Sequence, residues 1–100
     1  MERRRDVEAA AEVFKVLGNP SRLDLVRLLG EGPLSVTQLA ERSGLRQPMV
    51  SQHLRTLRQA DLVAATRSGS EVRYAVADEH VLHIVVDAVA HAHESHDDHD

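Results

Sequence analysis

Apolar positions recur along most of the chain at helical spacing, interrupted once by a stretch in which they alternate. Val7, Ala10, Ala11, Phe14 and Leu17 lay one stripe along a helix over residues 6–17, and Gly18-Asn19-Pro20 stops it. This reads as a packing helix; in a dimer its apolar face could also meet the partner's last helix. Pro20-Ser21 open a second helix that turns Leu23, Val26, Leu28 and Leu29 inward and ends at Gly30-Glu31-Gly32-Pro33. Ser35-Val36-Thr37-Gln38 has the form of a capping box, the Ser35 hydroxyl capping and Gln38 reaching back. It starts a short third helix with Val36, Leu39 and Ala40 on its apolar side, closed by Ser43-Gly44. Pro48 falls where proline is favoured, in the first turn of a fourth helix that runs to about Ala60 and buries Val50, Leu54 and Leu57. Leu62 to Arg67 and Glu71 to Val76 then read as two short strands joined by a turn at Ser68-Gly69-Ser70. From Asp78 to Glu94 the chain has room for about four helical turns, with Asp78 placed to cap the first of them.

Two short helices joined by a glycine-containing turn, the second polar and basic on one side, form a helix-turn-helix. A hairpin directly after the second of them is a wing. The fold expected is mainly α with a small β-hairpin, a winged helix-turn-helix in the order α-α-α-α-β-β-α, built as a homodimer. Residues 1–95 make one DNA-binding and dimerisation domain, and residues 96–100 a charged, mobile His/Asp tail.

Composition sharpens this outline in three ways. With 100 residues and only Phe14 and Tyr74 as aromatics, the core must be filled by Leu, Val and Ala, and a dimer interface would add stability. There is no cysteine, which excludes disulfides, thiolate metal sites and cysteine nucleophiles and leaves metal chemistry to His, Asp and Glu. No apolar run is long enough to span a membrane, and the basic start leads into a charged amphipathic segment, so a cytoplasmic location is expected. The net charge of −4 conceals an asymmetry: residues 1–75 hold 12 Lys and Arg against 9 acids, whereas residues 76–100 hold 7 acids and no Lys or Arg. The first part can face a polyanion and the last part can attract cations.

On the fourth helix, Gln47, Ser51, Arg55 and Arg58 fall on one polar face at spacings of 4, 4 and 3. The second helix of a helix-turn-helix enters the DNA major groove, where Gln, Ser and Arg reach base edges. Gln52 belongs to the same recognition segment. Arg46 and Arg58 are placed to hold phosphates, His53 to position the helix or contact phosphate, and the wing residues Arg67 and Arg73 to reach the backbone or the adjacent minor groove.

On the last helix, His80 and His91 are 11 positions apart. They share a stripe, about 20° apart in direction, but lie ~16 Å apart along the axis, so one ion cannot touch both from one helix. The pairs His80/His91 and Asp78/Glu94 both centre near Val86. Two copies packed antiparallel about a two-fold axis there bring Asp78 and His80 of one chain to His91 and Glu94 of the other. Four oxygen and nitrogen donors suit tetrahedral zinc, and symmetry makes two sites per dimer. His93 centres with Asp78 near the same point and can replace or join Glu94. His83, His93, His96 and His99 exceed a four-ligand set, which keeps nickel level with zinc and cobalt behind them. His83 lies near the middle of the presumed helix pair and is not read as a ligand; His96 and His99 are adventitious binders as readily as ligands.

Three stretches resemble the ArsR/SmtB family of bacterial metal-sensing repressors: Phe14 to Leu23 its first-helix junction, Gln47 to Leu57 its recognition helix, and Val72-Arg73-Tyr74 its second wing strand. The resemblance covers nearly the whole chain. It implies a homodimer that binds an inverted repeat in an operator and responds to metal, which in most members weakens operator binding. Arsenic, cadmium and lead sensors of the family use cysteines, often in the third helix; here that helix begins Ser35-Val36-Thr37 without one. Zinc-type members carry Asp-x-His followed by His-x-x-Glu or His-x-x-His on the last helix, shared across the dimer, and this chain matches at Asp78, His80, His91 and Glu94. The function expected is a DNA-binding transcriptional regulator, a repressor, controlled by zinc or nickel at inter-subunit sites. A metalloenzyme would need an open metal position, a base and a substrate pocket, which so small a chain with a closed ligand set does not offer. The remaining alternative is a winged-helix regulator with no metal switch of its own, acting through a protein co-regulator.

Overall fold

A computed structural model describes residues 2–97 of the chain. Five helices and one hairpin follow in the order α1 (Glu2–Leu17), α2 (Pro20–Leu29), α3 (Val36–Ser43), α4 (Gln47–Gln59), β1 (Val63–Ser68), β2 (Glu71–Val76) and α5 (Glu79–Asp97). This is the α-α-α-α-β-β-α order expected. The helix ends follow from capping chemistry. Asn19 Oδ1 accepts from the Arg22 N–H at 3.1 Å to start α2, with Pro20 in its first turn. At α3 the capping box closes both ways: the Gln38 N–H donates to Ser35 Oγ at 3.2 Å and the Ser35 N–H to Gln38 Oε1 at 2.9 Å. Gly44, at φ 79°, takes the left-handed position that ends α3.

The core is aliphatic, with Leu25, Val26, Leu39, Val50, Leu54, Leu57 and Val85 all sealed from solvent. α2 packs against α1, α3, α4 and α5, so the recognition segment and the last helix share it as a support. Leu25, outside the spacing read from the sequence, is fully buried, while Leu23 is only half-buried. Gly30 permits a close approach here: a Cβ at that position would stand 2.5 Å from Leu82 Cδ1 of α5.

Several expectations shift. α1 starts at Glu2 rather than residue 6, and its stripe does not pack within the chain: Val7 and Phe14 are 56% and 59% exposed, and only Leu17 is buried. The hairpin turn is two residues rather than three, since Ser68 pairs with Glu71 and leaves Gly69-Ser70 as the loop. With φ 66° at Gly69 and no positive φ at Ser70, this is the II′ geometry that matches strand twist. β2 is tied to the loop before α3 by Leu34 and Tyr74, whose backbone groups exchange bonds of 3.0 and 2.8 Å. α5 continues through His96 and Asp97, into the segment read as tail; Asp98, His99 and Asp100 lie outside the described residues.

Candidate DNA-binding face and metal-ligand stripe

α4 carries two faces with different fates. Val50, His53, Leu54 and Leu57 are buried against the core. Gln47, Ser51, Gln52, Arg55 and Arg58 are exposed on the other side, with Arg46 at the helix entrance, where no side chain caps the first turn. Gln47 Nε2 donates to Thr37 Oγ1 of α3 at 3.4 Å, tying the start of the recognition helix to its partner in the helix-turn-helix. Ser51, Arg55, Arg58, Gln59 and Tyr74 line a groove of about 320 Å³ between α4 and the hairpin. Two guanidinium groups beside a hydroxyl and a phenol are the chemistry with which a groove can hold phosphates.

His53 is the DNA-face candidate that the structure places elsewhere. It is 8% exposed, and its Nδ1 is sealed from water with no hydrogen-bond partner among the described residues. Burial, and secondarily the Arg22 guanidinium, lower its pKa below the ordinary 6.5.

The wing arginines separate as well. Direct cross-strand partners share a face, so Arg67, opposite Val72, lies on the side of Ala65 and Tyr74; Arg73, opposite Thr66, lies on the other. Arg67 therefore extends the face that carries the groove. Arg73 Nε stands 3.5 Å from Glu71 Oε1 and borders a small apolar recess with Pro33 and Ala75.

At α5, Asp78 Oδ1 accepts from the Val81 N–H at 3.0 Å, the capping bond expected of it. The same oxygen lies 3.8 Å from His80 Nδ1, and the His80 side chain is 97% exposed. Two donors on one tetrahedral ion, each at ~2.0–2.2 Å, are separated by roughly 3.3–3.5 Å, so a small side-chain rotation makes this pair half of a site. His91 and Glu94 are exposed farther along the helix. Among the described residues of one chain no group of three His, Asp or Glu could hold a metal, in keeping with the distance between the two halves. Continuous helix through Asp97 sets His93 apart: two residues from His91, it points ~160° away from it. His96 is likewise off the stripe. Asp87, exposed and passed over in the sequence, falls between His80 and His91 on the same stripe; its spacing of 7 and 4 was the available signal.

Val86 and Val89, turned about 120° and 180° from His80, are 47% and 36% exposed, and beside the stripe a recess of about 190 Å³ opens between Phe14 of α1 and Ile84 and Ala88 of α5. No described helix is long and apolar enough to cross a membrane.

Comparison with known proteins places this architecture. Residues 19–65, from the cap of α2 into β1, match the family of bacterial regulatory proteins described as the arsR family. The chain is 45% identical over 91 residues to the HTH-type transcriptional repressor SmtB of Mycobacterium tuberculosis, covering 91% of this chain and 67% of that one. It is 40% identical over 94 residues to the HTH-type transcriptional regulator NmtR of the same organism, covering 91% and 78%. Its fold matches, with a TM-score of 0.81 and 30% identity over 91% of this chain and 84% of the other, a homodimeric winged helix-turn-helix DNA-binding domain from Mycobacterium bovis, itself a possible ArsR-family regulator. The chain belongs to the arsR family of bacterial regulatory proteins, DNA-binding transcriptional regulators rather than enzymes.

Proposed function

We propose that this protein is a homodimeric repressor whose grip on an inverted-repeat operator is controlled by a divalent transition metal, zinc or nickel, held between the α5 helices. The observation that carries the reading is the division of the donors. Asp78 and His80 form one half-set at the start of α5, and His91 and Glu94 another near its end, each exposed and too far from the other to close within one chain. The recess at Phe14, Ile84 and Ala88 opens beside that stripe, so a second copy covering it would bring both sets together. Bound there, a divalent cation crosslinks the two α5 helices and neutralises the acidic charge that gathers on them.

The residues of the chain account for the rest. Asp78 caps α5 with the same oxygen it presents to His80, so filling the site and ordering the helix start are one event. Gln47, Ser51, Gln52 and Arg55 read the major groove, and Arg46, Arg58 and Arg67 hold phosphates. Because α5 and α4 both pack on α2, a change in the α5 pair would be passed to the separation of the two recognition helices. A coupling of about 1–3 kcal/mol is enough for a usable switch.

Calorimetry with zinc and with nickel on the wild type and on His80→Ala, joined to anisotropy titration of an operator duplex, tests the reading. The expected result is one metal ion per protomer, lost in His80→Ala, with operator affinity altered by metal only in the wild type. Absence of stoichiometric binding in the wild type would leave a winged-helix regulator acting through a protein partner instead.

A further inference from the structure

We propose that His53 is the positioning residue of the recognition helix, holding α4 against α2 only while its imidazole is neutral, so that operator binding weakens as the solution is acidified. The packed stripe of α4 is Val50, His53, Leu54 and Leu57, three aliphatic side chains and one imidazole. A ring 8% exposed belongs to the core of the helix-turn-helix, not to its DNA face. Its sealed Nδ1 has no partner among the described residues, which is tolerable for a bare lone pair. In the cation that nitrogen becomes a charged donor with nothing to receive its proton.

The surroundings add to the penalty. From α2 comes Arg22, and it is pinned: its Nε donates to the Val16 carbonyl of α1 at 2.7 Å, and its backbone N–H donates to Asn19. It cannot swing aside when a second positive charge forms. The nearest acid along α2, Asp24, is engaged by Arg27 at 2.6 Å. The other elements packed on α4 are α3, with Glu41 and Arg42, and β1, with Arg67; these three are exposed, and none is among the causes acting on the ring. Burial and Arg22 both push the same way, so the folded protein binds its proton below 6.5. The sign follows: the neutral ring's contribution is complete above 6.5 and is lost as pH falls from there through the folded value. Because the ring sits on the recognition helix, what loosens in that window is the element that reads DNA. Arg22 also joins the ring to the end of α1, so the same contact connects the DNA-reading helix with the exposed face that carries Phe14.

The test is an anisotropy titration between about pH 7.5 and 5.5, the range in which histidine titrates. It uses chelator-treated wild type and His53→Leu on a duplex selected from random DNA by the protein itself. The α5 histidines are present in both proteins, so the comparison isolates the contribution of His53. Acidification should weaken the wild type on the order of fivefold more than the variant. Parallel profiles overturn the proposal, and so does a wild type that tightens in acid, the mark of an imidazolium resting on phosphate. Nitrogen-15 NMR of the wild-type imidazoles decides independently of whether the variant folds. The expected state is the Nε2–H tautomer, titrating below the ordinary 6.5; an Nδ1–H tautomer, or titration at or above 6.5, refutes it.

Discussion

Asp61 shows how a single residue aims the wing. It is the only described non-glycine residue with positive φ, at 59°, and it sits just past the end of α4. The Asp61 N–H donates to the Arg58 carbonyl at 2.9 Å and the Leu62 N–H to the Leu57 carbonyl at 2.9 Å, the paired bonds of a Schellman motif. Leu57 and Leu62 are both buried, which supplies the apolar contact that usually accompanies it. Glycine normally holds the left-handed position, because a Cβ there crowds the carbonyl; an aspartate is among the less penalised exceptions. Replacing Asp61 with glycine should therefore raise unfolding stability by about 0.5–1 kcal/mol without moving β1. Denaturant unfolding checks this, with an unchanged m-value as the sign that the fold is the same. A loss of stability would mean that the Asp61 carboxylate makes a contribution beyond its backbone.

Between residues and the molecule stand the elements, and the wing is the one whose function depends on a register. Arg67 and Arg73 look equivalent in the sequence, each basic and each in a strand. The two-residue turn at Gly69-Ser70 fixes the pairing so that they occupy opposite faces of the hairpin. Arg67 joins the Tyr74 side and the groove that Arg55 and Arg58 line. Arg73 is turned away, with Glu71 beside it at 3.5 Å. Arg67→Ala should lower operator affinity evenly across sequences and reduce the slope of log affinity against log salt by roughly 1, the signature of one lost phosphate contact. Arg73→Ala should leave that slope nearly unchanged. Equal effects from the two would show that DNA meets both faces of the wing. This division was hidden in the sequence for a physical reason: a turn one residue shorter than read reassigns which side chains share a face. The capping box at Ser35 and Gln38, the cap at Asp78 and the two-sided character of α4 were legible, because each depends only on neighbours within a turn or two. His53 was half legible, since its distances of 3 from Val50 and 4 from Leu57 put it on the packed stripe. Its chemistry suggested DNA, and the spacing carried the better information.

At the scale of the molecule the same locality explains why α1 misleads. Its apolar stripe has correct helical periodicity, yet Val7 and Phe14 stay more than half exposed in one chain. Periodicity tells that a face wants burial and is silent on which chain buries it. The exposed α1 stripe, the recess at Phe14 and the divided donors of α5 all become intelligible on one assumption, a two-fold axis near Val86. That axis also brings together two acidic segments, since residues 76–100 of each copy hold 7 acids and no Lys or Arg. On the proposed reading the apo dimer is held by apolar contact and opposed by like charge, and a divalent cation at Asp78, His80, His91 and Glu94 would relieve the opposition. Phe14→Asp removes the apolar side of this balance while leaving every proposed ligand and DNA contact in place. Sedimentation should show the metal-free variant shifted to monomer, with operator binding reduced at least about tenfold because half-sites are no longer engaged together. Zinc should restore part of the dimer, since a ligand that binds only the paired state stabilises it by mass action. A variant that stays dimeric without metal would place the two-fold contact away from Phe14. One that zinc fails to rescue would count against a metal site shared between the two α5 helices.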